Sequence, residues 1–378
     1  MHKRLLHYFI IGAINILLVQ FCYGQRLDDI AGIRLSAEEG NAEAAYYLGM
    51  IYMNGAGLPR DEAKAFNWIK ISAEKGYAPA QDSLGIMYVN GQVVQRNVVE
   101  AVKWIKKAAD QGLADGQNDL GAAFQHGQGV EQNLAEAAKW YRLAANQGLA
   151  SAQFNLGTLY MNGLGLKKDG AEALKWLKLA ADQGYIDAEY NLGVIYMADD
   201  AIPKNEAEAF KWFKEAAEHG DAKAQYNLSI FYINGVGVQK DDKEAIKWLK
   251  LSGNQGYTGA QYNLGVFYMN GIGSEQNASE AFKWFKRAAD KGLPQAQYNL
   301  GILYMNGLGV EKDEKQAVEW FKLAAQQDYP VAQYYMGILY MNGQGVKQSQ
   351  GEAVNWFKKA AKNGDENARN ALIEIQSR

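Results

Sequence analysis

The chain has 378 residues, 39 basic against 42 acidic for a net charge of -3, and a hydrophobic content of 48%. That charge balance excludes the basic footprint that nucleic-acid binding demands, and the apolar content fits a folded chain. With Cys22 as its one cysteine, the chain has no disulfide framework and no cysteine-based metal site.

At the N-terminus, Lys3 and Arg4 precede a mostly apolar run from Leu5 to Val19, and small Gly24 follows. A positive segment, an apolar segment and a small residue predict a secretory signal over residues 1–24, cut between Gly24 and Gln25. His7 and Asn15 interrupt the run, which argues against a retained membrane anchor. Phe21 precedes Cys22 where a lipoprotein signal needs a small residue. Residues 25–41 read as a partial repeat that caps the array, because Arg34 to Gly40 resembles the end of a helix.

From Ala42 to residue 365 the chain repeats every 36 residues without insertion or deletion, nine times over. Every tryptophan obeys the period: Trp68, Trp104, Trp140, Trp176, Trp212, Trp248, Trp284, Trp320 and Trp356. A fixed period of this length marks a stack of identical supersecondary units. Numbering each unit from its first residue, Leu at position 7 and an aromatic at position 11 share one helical face, with positions 3 and 10 beside them. This predicts helix A. Gly recurs at position 8 in eight units and costs about 1 kcal/mol against Ala in a helix interior, so a close approach of a second helix is expected there. Gly-x-Gly follows in seven units, its first Gly suited to the left-handed residue that ends a helix.

Helix B opens at position 20 on a capping residue in all nine units: Asp61, Asn97, Asn133, Asp169, Asn205, Asp241, Asn277, Asp313 and Ser349. Eight carry Glu or Gln three residues later, which predicts a capping box. Ala at position 24 and the Trp three residues on place the Trp as the wedge between helices, and Gly at position 35 ends helix B in eight units. Glu366 to Ile375 reads as one last helix A, a C-terminal cap over 366–378. The expected fold is all-α: an α/α superhelical solenoid of nine antiparallel helix-pair repeats with terminal capping helices.

The motif Ala-Gln-Tyr-Asn-Leu-Gly-x-x-Tyr-Met-Asn-Gly-x-Gly-Val, followed by Glu-Ala-x-x-Trp-x-x-x-Ala-Ala-x-x-Gly, resembles the Sel-one-like repeat, a relative of the tetratricopeptide repeat. The resemblance covers residues 42–365 and implies an adaptor that holds protein partners, often exported in bacteria. In arrays of that kind helix A lines the concave face. Positions 2, 5, 6, 9, 12 and 13 are then the candidate contact columns. Position 5 is aromatic at Tyr46, Phe154, Tyr190, Tyr226, Tyr262, Tyr298 and Tyr334; position 6 is Asn at Asn155, Asn191, Asn227, Asn263 and Asn299; position 12 is Met at Met53, Met161, Met197, Met269, Met305 and Met341. Asn carries donor and acceptor and can hold an extended backbone. Tyr gives area at low entropic cost, and Met adapts its shape. The expectation is a Tyr/Asn/Met groove for an extended segment of a partner protein. The competing expectation is that Asn and Tyr belong to the packing code of the repeat.

Repeats 2 and 3 depart from the pattern, with Asp82-Ser83 and Asn118-Asp119, so this part of the face is expected to be more acidic. Repeats 5 and 6 depart elsewhere, with Asp199-Asp200-Ala201, Ser229 and Ser252-Gly253. Beyond the signal, only His126 and His219 remain of the histidines, and neither a paired-His motif nor Gly-x-Ser-x-Gly occurs. No metal, cofactor or catalytic residue is therefore expected. Cysteine-rich relatives that bind or hydrolyse β-lactams are stapled by disulfides that this chain lacks. The expected protein is an exported binding scaffold of the bacterial periplasm, envelope or secreted fraction, without stable membrane insertion after cleavage. The alternatives are an envelope structural or regulatory element and, last, an enzyme.

Overall fold

The computed structural model describes residues 27–91, 93–198 and 202–376. The expected signal over 1–24 and the Asp199–Ala201 departure lie outside the described residues. Those residues form twenty helices and no strand. They fall into two compact units that divide between Ala188 and Glu189. In the first unit, each helix from Leu27–Glu38 to Gly170–Ala181 packs on its neighbours in the chain. In the second, the same holds from Glu206–Glu218 to Glu366–Gln376. Each repeat is a helix pair such as Thr258–Asn270 and Ala278–Asp290, stacked only on adjacent pairs, which is solenoid packing. The terminal helices Leu27–Glu38 and Glu366–Gln376 bury Ala37 and Ala368 against the ends of the array.

Helix A buries the expected face. In Thr258–Asn270 the buried side includes Ala260, Leu264, Phe267 and Tyr268, at positions 3, 7, 10 and 11. The helix ends on Gly271 at φ 67°, whose N–H donates to the Phe267 carbonyl. Helix B starts on the expected cap in every repeat. Asn277, for example, accepts from the backbone N–H of Glu280. The reciprocal half of the capping box does not form. The cap's own N–H donates instead to the position-11 carbonyl of helix A, as Asn277 does to Tyr268 at 2.8 Å and Asp313 to Tyr304 at 3.0 Å. That bond closes each helix pair. Freed of the box, the position-23 carboxylates pair with lysines one turn on, as Glu280 does with Lys283.

The Trp is not the deepest wedge. Trp176, Trp212, Trp248 and Trp284 are 7–8% exposed, and the other five are half-buried. The neighbouring position 28 is deeper, with Ile69, Tyr141, Leu177, Leu249, Phe321 and Phe357 at 0–1%. It also accounts for the mid-helix glycines. A Cβ added at Gly301 would sit 2.8 Å from the Phe321 ring, and one at Gly157 would sit 2.9 Å from Leu177. The glycine makes room for a side chain across the pair, more than for a second backbone. Ser229 takes the glycine's place opposite Leu249 and turns its hydroxyl to the Tyr226 carbonyl. Ser252 donates to the Ala222 carbonyl as Ser72 does to Ala42, so both serine departures of repeat 6 are packing features.

Candidate functional site

All eighteen candidate contact residues lie on helix A and are half-buried. Their aromatic members rest on the core. Tyr190 packs on Phe213, Tyr262 on Phe285, Tyr298 on Phe321 and Tyr334 on Phe357, with ring centroids 5.6–5.8 Å apart. Tyr226 packs on Tyr257 at 4.9 Å. Each position-5 ring thus has one side on the position-28 or position-36 residue of its own repeat, and burial raises the pKa of Tyr226 and of Tyr298.

Position 5 of one repeat also reaches position 6 of the next. Tyr46 hydroxyl lies 3.5 Å from the Ser83 hydroxyl. Asn155 donates to the Asn118 side-chain oxygen at 3.0 Å. Tyr226 interacts with Asn263 in the same relation, and the Tyr298 and Tyr335 rings meet with centroids 5.3 Å apart. These links run 37 residues apart and tie helix A to helix A. So part of the Tyr/Asn pattern is packing. An Asn side chain offers two donors and two acceptors, and one inter-repeat bond leaves capacity over. Asn191, Asn227 and Asn299 occupy the same half-buried place in their repeats.

A second polar ladder has no counterpart in the sequence reading. Gln at position 4 is buried, with Gln81, Gln117, Gln153, Gln225, Gln261, Gln297 and Gln333 at 1–6% exposure. Each donates its amide to a carbonyl at the end of the preceding helix B, as Gln225 does to Ala217 at 3.1 Å. In six of the seven the oxygen accepts from position 34 of its own repeat, as Gln153 does from Gln183 at 2.8 Å. The ladder satisfies carbonyls that a helix C-terminus leaves open. One signal was present: where position 4 departs from Gln, in repeats 1 and 5, position 34 departs too.

In repeat 5 the pair becomes Glu189 and His219, with Nδ1 2.9 Å from the carboxylate. The hydrogen bond and charge of Glu189 raise the His219 pKa, with Glu215 and Glu218 adding to it and desolvation opposing. A raised folded pKa contributes stability that is complete below the ordinary histidine value of about 6.5 and is lost as pH climbs through the folded value. Thermal unfolding of the wild type is therefore expected to weaken from pH 6 to pH 8.5. Glu189→Gln restores the glutamine of the other repeats and is expected to flatten that slope. Identical slopes in the two proteins would refute the assignment. The difference between them is the readout, because Asp82 and Asp119, described next, impose a slope of their own.

Repeats 2 and 3 break the position-5 to position-6 links with acid. Asp82 and Asp119 stand 37 residues apart in the same relation as Tyr46 and Ser83. Burial pushes the Asp119 carboxyl up to about 7, with the charge of Asp115 adding to it and the Asn118 amide opposing. Asp82 is pushed well above the carboxylate range, chiefly by burial and then by Asp119 and Asp115.

Among the described residues, no group of three or more His, Cys, Asp or Glu could hold a metal ion. Nor is any described helix long and apolar enough to cross a membrane. Nine copies of the Sel1 repeat match end to end, at residues 42–77, 78–113, 114–149, 150–185, 186–221, 222–257, 258–293, 294–329 and 330–365. The chain belongs to the Sel1 repeat family. Proteins of this family are generally protein-interaction scaffolds and typically not enzymes. Among solved structures, a protective antigen of uropathogenic Escherichia coli with an SLR fold is 32% identical, with a TM-score of 0.71 over 92% of this chain and 82% of that one. A Sel1 repeat protein from Oxalobacter formigenes is 30% identical over 93% of this chain and 92% of that one, with a TM-score of 0.45. Cysteine rich protein B of Helicobacter pylori is 25% identical over 34% of this chain and 96% of that one, with a TM-score of 0.29. Among curated proteins, none matches.

Proposed function

We propose that this chain is an exported scaffold that holds an extended segment of a partner protein on its helix-A face. The observation that carries the reading is the run of half-buried rings and amides in the second unit: Tyr190-Asn191, Tyr226-Asn227, Tyr262-Asn263, Tyr298-Asn299 and Tyr334. Rigid aromatic rings seated on a core, four of the five beside an amide, give contact area and hydrogen bonding at low entropic cost. Asn155 presents the same group in the first unit. Export rests on the Lys3-Arg4 segment, the Leu5–Val19 run and Gly24. The similarity to a bacterial protective antigen supports action at or beyond the envelope.

The test is affinity capture from native envelope and secreted fractions with residues 25–378 as bait, beside Asn191→Ala/Asn227→Ala/Asn263→Ala. The expected result is a protein held by the parent and lost, at least tenfold, by a variant that keeps its helical circular dichroism. Equal capture by both, with a lower Tm in the variant, would assign the Asn column to packing and overturn the groove. An intact N-terminus on the mature protein, in place of Gln25, would overturn export by signal cleavage.

A further inference from the structure

The acidic departure in repeats 2 and 3 is the least comfortable place in the chain. Asp82 is 7% exposed, and one of its carboxylate oxygens is sealed from solvent with no hydrogen-bond partner. A buried, unsatisfied carboxylate costs more free energy than an Asn or a Tyr at the same position. Its surroundings add to the cost. Asp119 is half-buried, and Asp115, one turn earlier on the same helix Ala114–His126, is exposed. No basic side chain pairs with any of the three among the described residues; the near charges are one another. Helix Ala78–Asn90 touches helix Ala114–His126 directly here. The same two repeats lack the position-5 ring that the other seven carry, since Asp82 and Asn118 stand in its place. The result is a graded stack of carboxylates, deep to shallow, on a face with two rings removed.

We propose that Asp82, Asp119 and Asp115 form a seat for the guanidinium of an arginine in a bound partner segment. The inference rests on the helix-A face being the binding face. It adds the chemistry of one anchor. A planar guanidinium is weakly hydrated and can donate to carboxylates from two helices at once. Lysine, a strongly hydrated point charge, suits a half-buried seat less well. The bound cation offsets the charge that the three acids share and relieves the repulsion among them. An uncompensated acidic cluster of this kind is stability forgone for binding.

The experiment uses the full mature chain and two labelled peptides, an acetylated and amidated (Gly-Arg)3 and its citrulline counterpart, in 150 mM salt by fluorescence anisotropy. Saturable arginine binding is expected, at least tenfold tighter than citrulline. Asp82→Asn and Asp119→Asn should each weaken it fivefold or more, while raising the Tm of the free protein at pH 8. Asp182→Asn, an acid outside the cluster, should change neither. Equal affinity for the two peptides would overturn the seat, as would undiminished arginine binding in Asp82→Asn/Asp119→Asn. A loss as large in Asp182→Asn would reduce the effect to net charge and overturn it too. Calcium chloride that displaces the peptide at matched ionic strength would reassign the cluster to a metal. The wider scaffold reading fails separately: it depends on Asn191, Asn227 and Asn263, none of which these measurements touch.

Discussion

Phe321→Ala is expected to destabilise the second unit by about 3–5 kcal/mol, the cost of emptying a fully buried phenylalanine site. Phe321 is 0% exposed and lies among Ala317, Val318, Met336 and Leu339. Its ring stacks on Tyr335 at 5.5 Å and supports Tyr298 at 5.7 Å. Collapse into the hole is hindered on one side by Gly301, which has no side chain to move in. In a stacked array the loss is local before it is global, because each repeat contacts only its neighbours. Hydrogen exchange should accelerate first in helices Pro294–Asn306, Glu314–Ala325 and Pro330–Asn342, with chemical denaturation giving the size of the loss. Trp320→Ala is the control. Trp320 is half-buried, so its removal is expected to cost less despite its larger ring. A greater loss at Trp320 than at Phe321 would return the wedge to the tryptophan.

That comparison shows what the sequence made visible. Trp recurs as one residue type and is seen at once. Position 28 is Ile69, Ile105, Tyr141, Leu177, Phe213, Leu249, Phe285, Phe321 and Phe357, a column of one property and many identities. Packing selects volume and apolarity, not a named residue, so the deeper column was the fainter signal. The helices, their caps and their glycine ends were legible because they are local: Asn277 caps Glu280 three residues away. Asp328 shows the same rule under substitution. It replaces the position-35 Gly and is the one non-glycine residue at positive φ among the described residues, at 58°.

The Gln ladder was hidden for a different reason. Gln at position 4 reads as a solvent residue beside Ala at position 3. Its burial depends on carbonyls from the preceding repeat, as with Gln225 and Ala217. Only the joint departure of positions 4 and 34 in repeats 1 and 5 betrays it. Where Lys291 replaces the position-34 partner and turns to the Gly256 carbonyl, the Gln261 oxygen is left unsatisfied. The candidate binding columns sit between these cases. Their identities were plain, and their links across 37 residues were not, because the sequence does not show that position 5 meets position 6 of the next repeat.

Gly309→Ala is expected to destabilise by about 3 kcal/mol or more, although it adds one methyl group to a loop. Two costs combine there. Gly309 sits at φ 72°, a region that costs a non-glycine residue about 1–3 kcal/mol. A Cβ at Gly309 would also overlap the Ala278 carbonyl and the Ser279 nitrogen in the first turn of the preceding helix B. Backbone cannot rotate away as a side chain does, and overpacking of this kind costs about 1–3 kcal/mol. Gly307→Ala, two residues earlier, separates the terms. It shares the left-handed conformation at φ 66°, but its added Cβ would meet the Lys312 side chain at 3.3 Å, tight by a few tenths of an ångström, with no backbone overlap. It should lose mainly the conformational part, about 1–2 kcal/mol. The second glycine of Gly-x-Gly is thus the contact by which one loop seats on the previous helix pair, as Gly237 meets Glu206 and Gly273 meets Asp242. Equal losses at Gly307 and Gly309 by chemical denaturation would leave strain as the only role of both, and the seating contact would carry nothing.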